Sequence, residues 1–229
     1  FFGATTAAIG ARMVDELGLE EVRTMPPFVD VVDFGERCRA VDRDSARRQW
    51  GLARGQVAVL HVGEIRRENR QVELLEAFRV ALRELPSLRL FIVDRGRGDA
   101  GARARAEELD LGDSVLFLPP PPDPLPIHRM ADIFVLPAAA DTFPSGLLDA
   151  MACGLSAVVG GDEPEIEAVS HGAALAASAQ PVERLAKQLL ELAYDPRGRS
   201  EMGRAASERA ADFDVGRWMP RLEELYREP

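Results

Sequence analysis

Five short apolar runs, most of them trailed by a stretch with helical spacing, leave this chain few architectures to choose from. Val57 to Val62, Leu88 to Val93, Ser114 to Leu118, Ile133 to Leu136 and Leu155 to Val159 are rich in strand formers. Val57 to Val62 is unbroken, as a strand buried on both faces requires. Val72, Leu75, Phe78, Leu82 and Leu85 then mark an amphipathic helix. Ala100 to Leu109, Ile127 to Ala131 and Leu147 to Cys153 are further helices, the last stopped by Gly154. Such alternation predicts an open parallel α/β sheet with helices on both faces. A helix over Glu163 to Val169 and a weak last strand over Ala173 to Ala176 follow. Three terminal helices, Val182 to Ala193, Arg199 to Ala211 and Arg217 to Arg227, are divided by Asp195-Pro196 and Asp212-Phe213-Asp214.

The beginning of the chain stands outside this alternation. Thr5 to Leu17 has helical spacing with Ile9, Met13 and Leu17 on one stripe, and Glu21 to Met25 is strand-like. Pro26-Pro27 breaks the pattern, and Phe28-Val29-Asp30 reads as loop. Asp42 to Trp50 is a short helix capped by Asp42 or Asp44. The expected division is a tail of another unit and its linker over 1–34, a sheet domain over 35–212, and a closing helix over 213–229. The chain opens Phe1-Phe2 with no Met and is expected to be a piece of something longer.

The most informative loop joins Ile133–Leu136 to the helix at Leu147. Asp141 and Asp149 lie eight positions apart, one on the loop and the other about one turn into the helix. Both should face the crevice beyond the carboxyl ends of the strands, where open α/β sheets bind ligands. Between them lie the backbone N–H groups of a helix start, which attract phosphate.

A formal charge of −10 argues against a nucleic-acid partner, which needs a basic face. Lys187 is the only lysine, a composition bias that carries no function. No apolar run approaches the roughly 20 residues of a membrane span, and no signal peptide is visible, so a cytoplasmic location is expected. Cys38 and Cys153 sit far apart in sequence, and Cys153, on an apolar helix, is read as a buried inert thiol. His61 ends a buried strand and is read as a satisfied core residue; His128 and His171 are scattered. There is no metal-ligand spacing, no Ser-His-Asp arrangement and no phosphate loop ending Gly-Lys-Ser/Thr.

These residues resemble the C-terminal half of a retaining nucleotide-sugar glycosyltransferase of the large group 1 family, which has the two-domain GT-B fold. Val62-Gly63 through Leu74-Leu75-Glu76-Ala77-Phe78 is similar to the family's first strand, glycine loop and helix. Met130 to Pro137 resembles its "AADVFVLPS" run, and Asp141 to Gly154 its "EGFGLVLLEAMACG" signature. Pro164-Glu165-Ile166 resembles its "PEI" step, and Val22 to Phe34 its interdomain linker. The resemblance covers essentially the whole chain. It implies transfer of a sugar, with retention, from a nucleoside-diphosphate sugar to an unknown acceptor. By position it implies that Asp141 serves catalysis at the donor sugar and that Asp149 binds the ribose hydroxyls. Gly63, Glu64, Arg66, Arg67, Asn69, Thr142, Phe143, Pro144, Ser145, Gly146 and Leu147 would line the donor-sugar and diphosphate site. No metal and no cofactor are implied. The acceptor site and a catalytic histidine would come from an N-terminal domain missing here, onto which Trp218, Leu222 and Leu225 would pack. Peripheral contact with a membrane surface is left open.

The sequence departs from the family at several places. Asp stands for Glu at both acidic positions, shortening each by one methylene. Pro144 replaces a glycine and lacks an N–H. Glu64 and Asn69 stand where the family has the Arg and Lys that neutralise the diphosphate. Arg66, Arg67 and Arg70 could supply that charge from displaced positions. The second strand ends Val93-Asp94-Arg95-Gly96, so Asp94 is expected to add negative charge at the crevice mouth. These departures support a second reading, a non-catalytic binding or scaffold relative. A third is a nucleotide-sugar epimerase, which shares the fold.

Overall fold

The structure is a computed structural model that describes residues 2–4, 7–19, 22–24, 30–65, 70–96, 100–137, 144–160, 170, 173–177 and 182–227. The chain opens with a parallel pair, β1 (Phe2–Ala4) and β2 (Val22–Thr24), joined through α1 (Ala7–Leu17). Next come α2 (Val31–Ala40), α3 (Arg43–Gln49), β3 (Val57–Gly63), α4 (Gln71–Glu84), β4 (Leu88–Asp94) and α5 (Ala100–Glu108). After them run β5 (Val115–Leu118), α6 (Leu125–Met130), β6 (Ile133–Leu136), α7 (Ser145–Ala152), β7 (Ser156–Gly160) and β8 (Leu175–Ala177). Three helices follow: α8 (Val182–Tyr194), α9 (Pro196–Ala210) and α10 (Val215–Arg227). The expected helix over 163–169 lies outside the described residues.

The expected parallel sheet forms. Its six strands lie in the order β5-β4-β3-β6-β7-β8, and every described pairing is parallel. Counted within the sheet this is 3-2-1-4-5-6, the doubly wound order whose direction reverses between β3 and β6. Successive β3 residues therefore enter opposite cores. Ala58, Leu60 and Val62 pack with Phe134, Leu147 and Met151 on one face, beneath α2, α3, α6, α7 and α9. Val59 packs with Leu74, Phe78 and Leu189 on the other, beneath α4, α5 and α8.

One half-buried charge cluster fixes the amino end of β6. Asp132 accepts from Arg43 at 2.6 Å, from Arg47 at 3.0 Å and from the Ala58 amide at 2.8 Å. The two guanidinium groups also cap the last carbonyls of α6, at Arg129, Met130 and Ala131. The cluster thus ties α3 and α6 to the start of the central strands.

The helix α2 has no counterpart in the sequence reading. Asp30 caps it by accepting from the Asp33 amide at 3.0 Å. Its buried positions are Val31, Gly35 and Cys38, which face α6 and α7. The helix α9 begins at Pro196, earlier than expected, because proline is tolerated as a first helical residue. In α10, Pro220 lies within the helix, and the Trp218 indole donates to the Asp212 carbonyl at 2.7 Å. Among the described residues no helix is long and apolar enough to cross a membrane.

Candidate functional site

The strand reversal puts the carboxyl ends of β3 and β6 side by side, and the helices that follow them, α4 and α7, pack on opposite faces of the sheet. Above β6, α7 starts at Ser145 and ends in a Schellman motif. The Leu155 amide bonds to the Ala150 carbonyl, that of Gly154 bonds to Met151, and Gly154 takes φ +72°. The predicted stop at Gly154 is the observed one.

The helix is seated by close backbone approaches at both ends. A Cβ on Gly146 would stand 2.7 Å from the Val62 carbonyl oxygen, so β3 touches the first turn directly. A Cβ on Gly35 would stand 2.5 Å from the Ala152 oxygen, and one on Gly203 would collide with the Gly154 oxygen. Leu147, Leu148, Ala150 and Met151 are buried. The face left for the crevice carries exposed Ser145 and, one turn on, half-buried Asp149.

Pro144 takes the cap position, and its carbonyl accepts from the Leu147 and Leu148 amides at 3.0 and 3.2 Å. Leu147 therefore serves the core, with its amide engaged. Gly146 serves packing on β3. Among the described residues of the predicted loop, Ser145 is the exposed one. Asp141, Thr142 and Phe143 lie outside the described residues, as do Arg66, Arg67 and Asn69.

On the β3 side, Gly63 and Glu64 are half-buried at the strand end. The Glu64 carbonyl accepts from the Gln71 side-chain amide at 2.9 Å, and the Glu64 side chain leans toward Gly96. The same Gln71 nitrogen lies 3.3 Å from His61 Nε2, while His61 Nδ1 lies 3.0 Å from the Val135 carbonyl. Nδ1 must donate to that carbonyl, so Nε2 accepts from Gln71 and the ring is neutral. Burial pushes its pKa down, in agreement. His61 is thus the satisfied core residue the sequence suggested, and it links β3, β6 and the start of α4.

Asp94 has a structural task as well. Its Oδ1 accepts from the Ile65 amide at 3.1 Å and the Gly96 amide at 2.8 Å, and the residue is 9% exposed. The carboxylate thereby fixes the turn at the end of β4, beside the crevice mouth. The following residue, Arg95, donates its amide to the Gly63 carbonyl at 3.1 Å. Its guanidinium crosses to Asp149, with Nη2 3.2 Å from Oδ2. The sequence reading named Arg95 only as part of a turn. No local pattern announces a partner 54 positions away.

His128 is buried, with Nδ1 at 2.8 Å from the Pro124 carbonyl and Phe34 edge-on at 5.7 Å. Burial lowers its pKa, and the Asp149 charge opposes that shift. Cys38 and Cys153, remote in sequence, are brought into thiol–thiol contact where α2 meets the end of α7. Both are free; the contact lowers the pKa of Cys38 and raises that of Cys153. Among the described residues no group of His, Cys, Asp or Glu could hold a metal ion. A cavity of about 450 Å³ lined by Trp50, Leu52, Arg89 and Phe91 opens at the opposite end of the sheet from Asp149.

Comparison with known proteins agrees with this arrangement. The profile of the family "Glycosyl transferases group 1" matches residues 42–209. The D-inositol 3-phosphate glycosyltransferase of Geodermatophilus obscurus is 34% identical over 174 residues, covering 69% of this chain and 38% of its own length. The enzyme of that name from Thermomonospora curvata is 30% identical across 97% of this chain and 56% of its length. The chain thus spans about half or less of these curated relatives. A solved structure of Anabaena HepE in complex with UDP and glucose superposes with a TM-score of 0.84 at 18% identity, over 99% of this chain and 62% of that one. That structure speaks for the GT-B glycosyltransferase fold alone. The matched span, well over half of the chain, makes the protein a member of the group 1 glycosyl transferase family.

Proposed function

We propose that this chain is the donor-binding half of a retaining glycosyltransferase, taking a nucleoside-diphosphate sugar without a metal ion. The observation that carries the proposal is Asp149. It sits on the crevice face of α7, one turn past the helix start and beside the strand reversal. An ionised carboxylate there suits two vicinal ribose hydroxyls, and the helix start suits a phosphate. Asp141, on the preceding loop, is assigned to the donor sugar. Residues 1–34 are assigned to the end of an acceptor domain and its linker, 35–212 to the donor domain, and 213–229 to a helix that returns to the acceptor domain. The acceptor site belongs to that other domain, and the reaction is placed in the cytoplasm. The UDP and glucose bound by HepE support a donor of this class.

The test is calorimetry with uridine, guanosine and adenosine diphosphates and their sugars. Micromolar binding of one of them, abolished by Asp149→Ala, is expected. Glu64, where the family has arginine, favours the second reading of a non-catalytic relative. Failure of every nucleotide to bind would support that reading instead.

A further inference from the structure

We infer that Arg95 is the diphosphate-binding cation of this chain, exchanging partners with Asp149 when a donor enters. The inference rests on the donor-binding proposal and goes beyond it. Two requirements meet at this residue. The position after Gly63 holds Glu64 instead of a cation, so positive charge from a further element, beside that of Arg66, Arg67 and Arg70, serves the crevice. Asp149, in turn, is engaged by Arg95 at Oδ2, so a ribose that takes both carboxylate oxygens displaces this partner.

The geometry meets both. Arg95 stands on a fixed base: its amide is bonded to the Gly63 carbonyl, and the turn beneath is held by Asp94 through the Ile65 and Gly96 amides. Its side chain is free to span the mouth from β4 to α7. The contact with Asp149 is a single one at 3.2 Å, with the two side chains 41% and 21% exposed. A pair so placed is partly solvated and weakly held. The start of α7 lies one turn away from Asp149, about 5.4 Å along the helix axis. A guanidinium has five donors and matches phosphate oxygens in pairs. A small swing therefore takes Arg95 from the carboxylate to a diphosphate over Ser145. The ribose then takes the vacated carboxylate, and neither charge is left without a partner. In the empty protein the pair holds Asp149 aimed at the crevice.

The experiment compares each nucleoside with its diphosphate on the full chain and on Arg95→Gln, using uridine and UDP, guanosine and GDP, adenosine and ADP. Calorimetry reads the diphosphates and ligand-observed NMR the nucleosides. Arg95→Gln should weaken the preferred diphosphate about tenfold or more. The matching nucleoside should bind as well as before or better, because Asp149 has been released. Arg95→Lys should recover part of the diphosphate affinity, since charge survives without the fork. Equal loss for nucleoside and diphosphate would overturn the inference, reducing Arg95 to a prop for Asp149. Unchanged diphosphate affinity would overturn it too, leaving the donor proposal standing. No diphosphate binding by the unaltered protein would overturn both.

Discussion

Two aspartates of this chain are each paired with arginine, at opposite ends of the sheet, and they behave as different kinds of residue. Asp132, 13% exposed in its side chain, is saturated by two guanidinium groups and a backbone amide. Those arginines are themselves tied to four backbone carbonyls, so no member can move without stranding another. Asp149 has one ion pair among the described residues, at the open mouth of the crevice. The first arrangement builds the fold; the second can trade partners. Counting donors per carboxylate separates them, where residue type and pairing do not.

The sharpest way to break this contrast is Asp132→Ala. It strands two guanidinium groups and an amide, and unfolding in urea should show a loss of about 3 kcal/mol or more. If the loss matched that of a surface pair, the contrast would fail. Gly146→Val tests the seat of the neighbouring helix: its side chain would meet the Val62 carbonyl, and urea unfolding should register about 2 kcal/mol of overpacking.

Asp149→Asn should reverse the Asp132 pattern. Unfolding stability should stay within about 0.5 kcal/mol, while the affinity of the preferred nucleotide diphosphate drops about tenfold or more by calorimetry. A stability loss with unchanged affinity would make Asp149 a second Asp132.

Acidity gives a smaller effect. His61 is held neutral by burial, so its folded pKa lies below its usual value of 6.5. As pH falls below that value, the unfolded chain takes up a proton that the folded chain refuses, and stability declines. The slope is at most about 1.4 kcal/mol per pH unit from this residue. His128 is shifted in the same direction and adds to the slope. Chemical unfolding between pH 7 and 5 on His61→Asn should therefore give a shallower dependence. Smallest of all, Glu208→Ala removes the exposed partner of Arg204 and should change stability by no more than about 0.5 kcal/mol.

Much of this was legible from residue order. Ile133–Leu136 was readable as a strand because four consecutive apolar residues end at a proline, and the stop of α7 because Gly154 alone there tolerates positive φ. The helix α2 was not legible, since its buried stripe is Val31, Gly35 and Cys38, only one of them a large aliphatic. The turn-fixing task of Asp94 was not legible, because its charge is visible in sequence while the two amides it holds are not. The Arg95–Asp149 pair escaped for the same reason, as did the meeting of the two thiols. Each depends on which strand lies beside which, and local pattern does not encode strand order.

The glycine contacts around α7 carry a mechanical consequence. With Val62 backbone under one end and the backbones of Gly35 and Gly203 against the other, this rod cannot slide or roll by a fraction of an ångström without steric collision. It is a datum, the fixed mark from which the neighbouring parts take their positions. Any accommodation of differently sized guests must then be borne by side chains such as Arg95, and guest preference should be alterable by exchanging those side chains while leaving the rod untouched.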